Sequence, residues 1–438
     1  MLKEAADAAR IWGGVTEWPD RAEQEGFVAA LLGGGDGRLA IDPGSGTSKY
    51  LCPPVPAPHL VCASSCTASP VSVSGFAAAE VVWREISGAE TQHLAAQRLA
   101  AQAETVRARL LGHFGVASLA EAILCPSGTD ALQVATGLLA AERPHVPITA
   151  ILPNAAETGS GVPAAVAAAH ETATVEIALR DETGAPLAPA TLNAAFAGAA
   201  AAAQGAGRRP LIFLTYGTKT GLIAPAEPPQ GADVIVDACQ ARILPARVVA
   251  FLRRGWPVVV TGSKFFGGPA FSGAVLFPRD RGAAVGRPPA ACAPGVVLRW
   301  VAALDGMQRF ARAGTAVQEA LAGQGRAIRR GIAGIPSLVK VAGLPEDNGA
   351  WDERASIFTF AVRDPADGRR LTAAALRPLY QRLARAGVLL GQPVALGAFG
   401  GLRIAVGARD VSGAASDDLP RLFDTLAEAT APAPAGGR

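Results

Sequence analysis

Lys264 is the residue of this sequence whose type and setting most favour covalent chemistry. It stands in the segment PVVVTGSKFFGG, directly after an apolar stretch predicted to be a strand and before a glycine-rich aromatic turn. Partial burial there would lower the pKa of the lysine and leave the uncharged amine that forms Schiff bases. The alternative is a strand-end lysine that reaches into solvent, the commonest fate of this residue type. Among the five lysines, only Lys219, in the segment TYGTKTGL, has a comparable setting.

Asp237 ends a second apolar segment, DVIVD, where a carboxylate is costly to bury unless a cation lies beside it. The protonated ring nitrogen of pyridoxal 5′-phosphate (PLP) would be such a cation, and a carboxylate partner helps its ring to withdraw electrons. A strand-end aspartate that caps a turn or pairs with Arg242 explains the residue equally well when it is considered alone.

The tripeptide Ser127-Gly128-Thr129 follows the apolar segment AILCP and precedes the helical pattern DALQVATGLLAA. Its backbone amides and hydroxyls would lie at a helix N-terminus, which is a ready site for an anion such as a phosphate. Gly128 would allow the backbone to approach that phosphate closely. The alternative is that Ser127 or Thr129 only caps the helix.

The elements that must position these residues alternate between short apolar strands and Ala/Leu-rich helices. Such alternation indicates βαβ units, an α/β fold and a mostly parallel sheet, with binding sites at the carboxyl ends of the strands. Residues 78 to about 114 have apolar residues near helical spacing, which predicts one long helix with a possible break near Gly88. The alternating segments are AILCPSG, DALQVATGLLAA, ITAILPN, PAAVAAAHE, PLIFLTYG, ADVIVDA, PVVVTGS and GAVLFP.

The length of 438 residues predicts more than one structural unit. Proline- and glycine-rich stretches near the start predict an extended arm. After about Trp300, a long helical pattern followed by IFTFAV, LRPLYQRLARAG and LRIAVGA predicts a smaller α+β domain. The predicted units are an N-terminal arm (1–75), a large domain (76–300), a small C-terminal domain (301–430) and a disordered tail (431–438).

The amino-acid composition excludes several classes of function. Half of the residues are hydrophobic, 18% are charged and the net charge is +3, so we expect a globular protein without a basic surface for nucleic acid. The six cysteines have neither metal-site spacing nor the density of a disulfide framework, so we expect reduced thiols and no metal. No segment has the pattern of a membrane span or a secretory signal, which predicts a cytoplasmic protein.

Three motifs, taken in their order along the chain, resemble those of a known family. They are SGTDA at 127–131, VDACQ at 236–240 and TGSK at 261–264. This order is similar to that of the fold-type-I PLP-dependent enzymes of the aspartate aminotransferase superfamily. It most resembles their class V branch of aminotransferases, cysteine desulfurases and related lyases, over roughly residues 80–410. The resemblance implies a large domain with a seven-stranded-type sheet, a smaller α+β domain, and a homodimer, because active sites of this family lie at the subunit interface.

The resemblance also implies roles for individual residues. Lys264 would hold PLP as a Schiff base and Asp237 would face the pyridinium nitrogen. Ser127, Gly128 and Thr129 would form the phosphate loop. The other cofactor contacts it implies are Gln240 to the phenolic oxygen, and Thr261 and Ser263 to the phosphate.

Two C-terminal residues are candidates for binding the substrate. Arg403, in LRIAVGA, stands where many relatives place the arginine that holds the substrate α-carboxylate, and its planar fork suits that task. A surface arginine on an edge strand is the alternative. Gln392, in GVLLGQPVALG, is either a pocket residue or a plain turn residue.

Several positions depart from the class V pattern. Thr158, after Glu157, occupies the position where relatives stack a ring on the cofactor. Thr218 stands where a cofactor-contacting asparagine is usual. Cys292 is the only cysteine after Lys264 and follows it closely, so persulfide chemistry is not expected.

Two further features leave alternatives open. Cys239, beside Asp237, is interpreted as a small core residue. The hydroxyl-rich arm segment CASSCTASPVS, with Ser64, Ser65 and Thr67, either reaches the site or forms a turn without a ligand, and the turn is favoured.

The expected function is therefore chemistry at the Cα of a small amino acid or related amine. The freed Lys264 amine would act as general base for the Cα proton. An aminotransferase is favoured, with a C–S or other β/γ-eliminating lyase as the alternative. A catalytically silent relative that uses the fold as a scaffold is the third possibility.

Overall fold

The fold is a mixed α/β arrangement with two β-sheets. The computed structural model describes residues 21–170, 172–281, 292–344, 349–411 and 418–431. The first twenty residues of the predicted arm, and residues 432–438 of the predicted tail, lie outside this described part. Within it, no helix combines the length and apolar character that crossing a membrane would require.

Thirteen strands are present among the described residues. In chain order they are β1 (Val61–Ala63), β2 (Ala120–Cys125), β3 (Ile148–Pro153), β4 (Ala173–Ile177), β5 (Arg209–Tyr216), β6 (Ile223–Ala224), β7 (Asp233–Ala238), β8 (Val258–Thr261), β9 (Gly273–Pro278), β10 (Leu338–Lys340), β11 (Ile357–Val362), β12 (Val388–Leu396) and β13 (Phe399–Ala405).

Twelve α-helices accompany them in the same described ranges. They are α1 (Arg21–Leu32), α2 (Val73–Ser87), α3 (Gln92–Phe114), α4 (Gly128–Ala141), α5 (Val162–Ala167), α6 (Pro189–Gly205), α7 (Pro245–Arg253), α8 (Pro294–Ala313), α9 (Ala316–Gly334), α10 (Leu376–Arg385), α11 (Ala408–Val411) and α12 (Asp418–Thr430). Short 3₁₀ turns lie at Gly37–Leu39 and Trp351–Glu353.

The larger sheet has the strand order β2-β9-β8-β7-β5-β3-β4, with β6 paired to β5. Strands β4, β3, β5, β7 and β8 run parallel to one another, whereas β6 is antiparallel to β5, and β9 runs antiparallel to both β8 and β2. Strands β3, β5, β8 and β9 are buried along their whole length, as expected for a sheet whose two faces are covered. The predicted α/β class with a mostly parallel, seven-stranded-type sheet is confirmed.

The smaller sheet has the order β1-β12-β13-β11-β10. Three of its pairings are antiparallel, and β1 joins its edge in parallel with β12, where Val61 faces Val388. The N-terminal segment predicted to be an extended arm therefore supplies a strand to a sheet built mostly from the C-terminal third of the chain. The boundaries proposed near residues 75 and 300 stay predictions.

The long helix predicted for residues 78 to 114 is two helices, α2 and α3. Gly88 caps the end of α2, and the Thr91 hydroxyl accepts the amide of Leu94 at the start of α3. Gly115, in the left-handed region at φ 67°, ends α3. The break lies where the sequence placed it.

Helix α8 ties the N-terminal segment to the larger sheet, since α1, α2 and α3 all pack against it. Its Arg299 is fully buried and donates to the carbonyls of Leu31 and Phe271 at 2.5 and 2.7 Å. The neighbouring Trp300 donates to the carbonyl of Gly273, the first residue of β9, at 2.9 Å. These bonds fix the loop that lies between Lys264 and β9.

Candidate active site

One cavity of about 230 Å³ opens at the carboxyl ends of β3, β7 and β8 and at the N-terminus of α4. This is the sheet edge at which parallel α/β proteins bind ligands. The cavity wall includes all eleven residues that the sequence singled out for the cofactor or the substrate. They are Ser127, Gly128, Thr129, Thr158, Asp237, Gln240, Thr261, Ser263, Lys264, Gln392 and Arg403.

Lys264 lies three residues after the end of β8, and its Nζ donates to the carbonyl of Thr67 at 3.2 Å. Burial lowers the pKa of this lysine, and the nearby cations of Arg403 and Arg242 act in the same direction. A lysine in these surroundings holds its amine in the uncharged, nucleophilic form more readily than a solvated one. The strand-end lysine that reaches into solvent is not what the structure shows.

Asp237 lies near the end of β7, is 6% exposed and lines the cavity. Its Oδ1 accepts the backbone amide of Cys239 at 3.1 Å, yet burial raises the pKa of the carboxyl. Arg242, the alternative partner, instead donates to Ser356 Oγ, Gln240 Oε1 and Ser65 Oγ at 3.0, 2.8 and 2.8 Å. A ligand with a positively charged N–H group would compensate this buried carboxylate.

At the start of α4, a side-chain hydroxyl caps the helix and two backbone amides remain free to bind a ligand. The Ser127 hydroxyl accepts the Asp130 amide at 3.2 Å and donates to the Asp130 carboxylate at 2.6 Å. The hydroxyl therefore caps the helix, as the alternative interpretation of this motif predicted. The amides of Gly128 and Thr129 lie in the first turn, which has no intrahelical acceptor for them, so they remain suited to an anion.

Gly128 sits where no side chain fits. A Cβ at this position would lie 2.7 Å from Cys239 Sγ and 2.9 Å from Thr261 Cγ2. The backbone of α4 thus approaches the loops after β7 and β8 as closely as the chain allows. A cradle for a phosphate requires such a bare backbone.

A Gly128→Ala substitution is expected to lower the free energy of unfolding by about 1–3 kcal/mol, because the added methyl overpacks this contact. Urea denaturation measures the change. The matched control is Gly112→Ala in α3, where a Cβ meets nothing within 4 Å. That control should gain up to about 1 kcal/mol from helix propensity. Equal effects of the two substitutions would show that the contact at Gly128 is not tight.

Arg403 lies on β13, between β11 and β12, and is 3% exposed, so the alternative of a surface arginine on an edge strand is wrong. Its Nε and Nη2 donate to the carbonyl of Gln392 at 3.2 and 2.8 Å, and Nη2 also donates to Thr67 Oγ1 at 3.0 Å. Its Nη1 donates to the carbonyl of Lys219 at 2.9 Å. Four of the five N–H donors of Arg403 are used, so one Nη1 donor is left for a ligand. The sequence had suggested that two parallel donors would be available for a bidentate contact.

Gln392 lies where the β12–β13 register shifts between Gly391 and Val394. Such an irregularity in a ladder redirects side chains and frees backbone groups. The Gln392 amide donates to Thr67 Oγ1 at 3.2 Å while its carbonyl accepts from Arg403. This residue therefore shapes the cavity mainly through its backbone.

The loop after β3 carries a buried ion pair that the sequence did not reveal. Glu157 is 2% exposed, lines the cavity and lies 2.7 Å from Arg180 Nε. The hydroxyls of Thr218 and Thr220 donate to the same carboxylate at 2.6 and 2.7 Å. Thr218, which stands at the asparagine position of class V enzymes, is thus committed to Glu157 and is not part of the cavity wall.

Thr158 lines the cavity, and its hydroxyl donates to the carbonyl of Asn154 at 3.3 Å. Its position against the cofactor ring stays a prediction. Aromatic side chains reach the cavity from elsewhere, since Tyr50 and Phe271 also line it. No local signal in the sequence marked either of these two.

The hydroxyl-rich arm segment contributes Thr67 to the cavity wall. Its carbonyl accepts from Lys264, and its hydroxyl accepts from Arg403 and from the Gln392 amide. Ser64 and Ser65 instead donate to the carbonyls of Ala68 and Ala405, at 2.6 and 3.2 Å. The favoured interpretation, a turn away from the site, is therefore incomplete, because one of its hydroxyls lies at the cavity.

The Cys239 thiol in the cavity wall is not activated. Cys239, interpreted as a core residue, lines the cavity together with Cys66. Burial and the neighbouring Asp237 carboxylate raise the pKa of Cys239 well above its ordinary value. A thiol that stays protonated is a poor nucleophile.

Comparisons with known proteins rest on structure. No family model matches this sequence, and no curated protein matches it closely enough to count. The solved structure of mouse CSAD is 15% identical, with 98% of each chain covered and a TM-score of 0.59. A cystine C–S lyase in complex with cysteine persulfide is 18% identical, covers 83% of this chain and 97% of its own, and has a TM-score of 0.57.

A cysteine desulfurase from Thermococcus onnurineus is 14% identical, with 84% of this chain and 93% of its own covered and a TM-score of 0.58. At sequence identities this low, the similarity is evidence for the fold alone. The strand order of the larger sheet and the second sheet agree with it. The chain has the fold that its motifs predicted, fold type I of the PLP-dependent enzymes.

Proposed function

We propose that this protein is a PLP-dependent enzyme that acts at the Cα of an amino acid or related amine, with the cofactor attached to Lys264. One observation carries the proposal. The Lys264 amine, the Asp237 carboxylate and the first turn of α4 line a single cavity. PLP needs three binding groups of these kinds, one for its aldehyde, one for its ring nitrogen and one for its phosphate. A further structural neighbour, an Oryza sativa TDC, was solved with PLP, which supports the choice.

The residues around these binding groups fit the cofactor. The Asp237 carboxylate is buried without a cation bonded to it in the described part of the chain and would accept the N–H of a protonated ring. The Gly128 and Thr129 amides, with the hydroxyl of Ser263, would donate to the phosphate. The Thr261 hydroxyl instead donates to the carbonyl of Cys239 at 2.7 Å, so the phosphate contact that the sequence suggested for it would require this bond to be exchanged. The cradle has no room for a side chain at Gly128.

When bound, PLP supplies an electron-withdrawing ring that makes the bonds at Cα of an attached amine labile. The chain supplies the rest. Lys264 can take and return the Cα proton at its Nζ, because its lowered pKa favours the free amine. The free Nη1 donor of Arg403 would orient the substrate α-carboxylate. Asp237 would accept the N–H of the ring nitrogen and favour its protonated form.

An aminotransferase is the first candidate for the reaction. The Cys239 thiol in the cavity wall has a raised pKa, and Cys292, whose pKa burial also raises, is not part of that wall. Persulfide transfer through a cysteine nucleophile is therefore not proposed. A C–S or other β/γ-eliminating lyase is the second candidate, and the likeness to the cystine C–S lyase favours it.

Mixing PLP-loaded protein with a panel of amino acids tests the proposal. Transamination should convert the cofactor to its pyridoxamine form once per chain and release one equivalent of keto acid. Elimination should instead release pyruvate, ammonia or thiol steadily while the cofactor stays in its aldehyde form. A protein that fails to retain PLP after dialysis, or that retains it and converts no amino acid, would refute an enzymatic role; the second result would favour a silent relative.

A further inference from the structure

The cavity wall carries more cations than carboxylates. It has five cations and two carboxylates among the described residues. Glu157 is paired with Arg180, and Arg38 is paired with Asp36 at 2.7 Å. With Lys264 bonded to the cofactor, and with the cofactor phosphate assigned to the first turn of α4, three cations have no carboxylate partner in the described part of the chain. They are Lys49, Lys219 and Arg403.

Of these three cations, Lys219 is held in place by hydrogen bonds of both its backbone and its side chain, and it still has unused Nζ donors. Its amide donates to the Glu157 carbonyl at 2.7 Å, and its carbonyl accepts from Arg403 at 2.9 Å. Its Nζ donates to the Ala155 carbonyl at 2.7 Å. The residues on both sides of it, Thr218 and Thr220, are tied to the Glu157 carboxylate.

The side chain of Lys219 is poised to bind a charged group. One of its three Nζ donors reaches Ala155, which leaves two for a ligand. Burial and the charge of Arg403 lower the pKa of Lys219 to about 8, with Glu157 acting in the opposite direction and Lys264 in the same one. The amine is thus cationic at neutral pH, and a desolvated cation gains more from an anionic partner than an exposed one does.

A single carboxylate does not satisfy this arrangement. The α-carboxylate of an amino acid would occupy the one free donor of Arg403. Lys219, beside it, and Lys49, on the exposed side of the cavity, would have no carboxylate partner in the described chain or on such a substrate. A half-buried cation that faces a binding cavity gains from a ligand that supplies a counter-charge.

We propose that the substrate carries a second anionic group besides its α-carboxylate, and that Lys219 binds this group. The substrate class is an amino acid with a carboxylate or phosphoryl group on its side chain. This inference rests on the proposed PLP-dependent function. Lys219 is a specificity-determining residue and takes no part in proton transfer.

Isothermal titration calorimetry on PLP-loaded protein tests the proposal with ligands that lack an amine and cannot react. Succinate and 3-phosphonopropionate carry two anionic groups, and butyrate carries one on a chain of similar length. We expect the better dianion to bind about 10- to 100-fold more tightly than butyrate, as one charge-assisted contact allows. The dianion that binds more tightly distinguishes a carboxylate from a phosphoryl side chain.

The variants Lys219→Gln, Lys219→Arg and Lys340→Gln separate charge from structure. Lys219→Gln should lose the preference for the dianion, Lys219→Arg should keep it, and Lys340→Gln, a lysine outside the cavity wall, should behave as the wild type. The wild-type preference should also fall as the pH rises through about 8, where Lys219 loses its charge.

Two results would overturn the inference alone: equal affinity for dianions and butyrate in protein that retains stoichiometric PLP, or a preference that survives in Lys219→Gln. Failure to retain PLP would instead refute the proposed function, and this inference would fall with it.

Discussion

Replacing Lys264 with methionine should lower kcat by at least about 10²–10⁴-fold, because the general base for the Cα proton is lost along with the covalent attachment of the cofactor. Methionine fills nearly the same space without an amine. Steady-state assays with the preferred amino acid measure the effect, and Lys340→Met, outside the cavity wall, should leave kcat unchanged.

The same Lys264 substitution should not weaken the cofactor-free fold. Burial lowers the pKa of Lys264, so the folded chain holds this proton less tightly than the unfolded chain. Stability should therefore rise with pH as it increases toward the ordinary pKa of lysine, and the methionine variant should show a smaller rise. A large loss of stability together with the loss of kcat would mean that Lys264 serves the fold instead of the reaction.

Replacing Asp237 with asparagine should lower kcat by roughly 10²-fold or more, corresponding to about 3 kcal/mol for one partner removed from a buried charge pair. Asparagine keeps an oxygen that can accept the Cys239 amide, so the loop after β7 should hold its shape. The missing charge would leave the ring nitrogen of the cofactor without its partner. Kinetics on PLP-saturated variant and wild type measure this loss.

Stability of the cofactor-free chain is the control for Asp237. Burial raises the pKa of this carboxyl, so stability falls as the pH rises from the ordinary carboxyl pKa to the folded-state pKa, and the full cost is present above that. At neutral pH the Asp237→Asn variant should then unfold with a free energy equal to or greater than that of the wild type. An unchanged kcat in the variant would remove Asp237 from the cofactor site.

Much of the site was predictable because its residues obey local rules. Lys264, Asp237 and Ser127 each follow an apolar segment that could be recognised as a strand by its composition. Parallel strands bring their carboxyl ends to one edge of a sheet, so residues far apart in sequence were expected to meet there. The order of the three motifs then pointed to the fold that the structural neighbours share.

What could not be predicted depends on contacts between distant segments. The sequence left open whether Arg403 lies on an edge strand, and its strand β13 is internal because it pairs with both β11 and β12. The partnership of Glu157 with Arg180 joins residues from separate loops, and no spacing rule links them. Lys219 attracted notice only as a rival to Lys264, because nothing nearby in the sequence shows its backbone bonds to Glu157 and Arg403.

The same distinction between local sequence rules and contacts of distant segments applies to the fold. The alternation of strands and helices predicted the parallel core of the larger sheet, whereas the antiparallel direction of β9 and the pairing of β1 with β12 depend on how distant segments meet. The break between α2 and α3 was visible because a glycine and a capping threonine mark it locally.

Borohydride reduction of PLP-loaded protein, followed by peptide mapping, tests most directly whether Lys264 holds the cofactor. Reduction fixes the cofactor to whichever amine it is bonded to. We predict one reduced adduct per chain, in the peptide that contains Lys264, and none at that position in Lys264→Met. An adduct on Lys219, whose side chain lines the same cavity, or no adduct at all, would contradict the assignment.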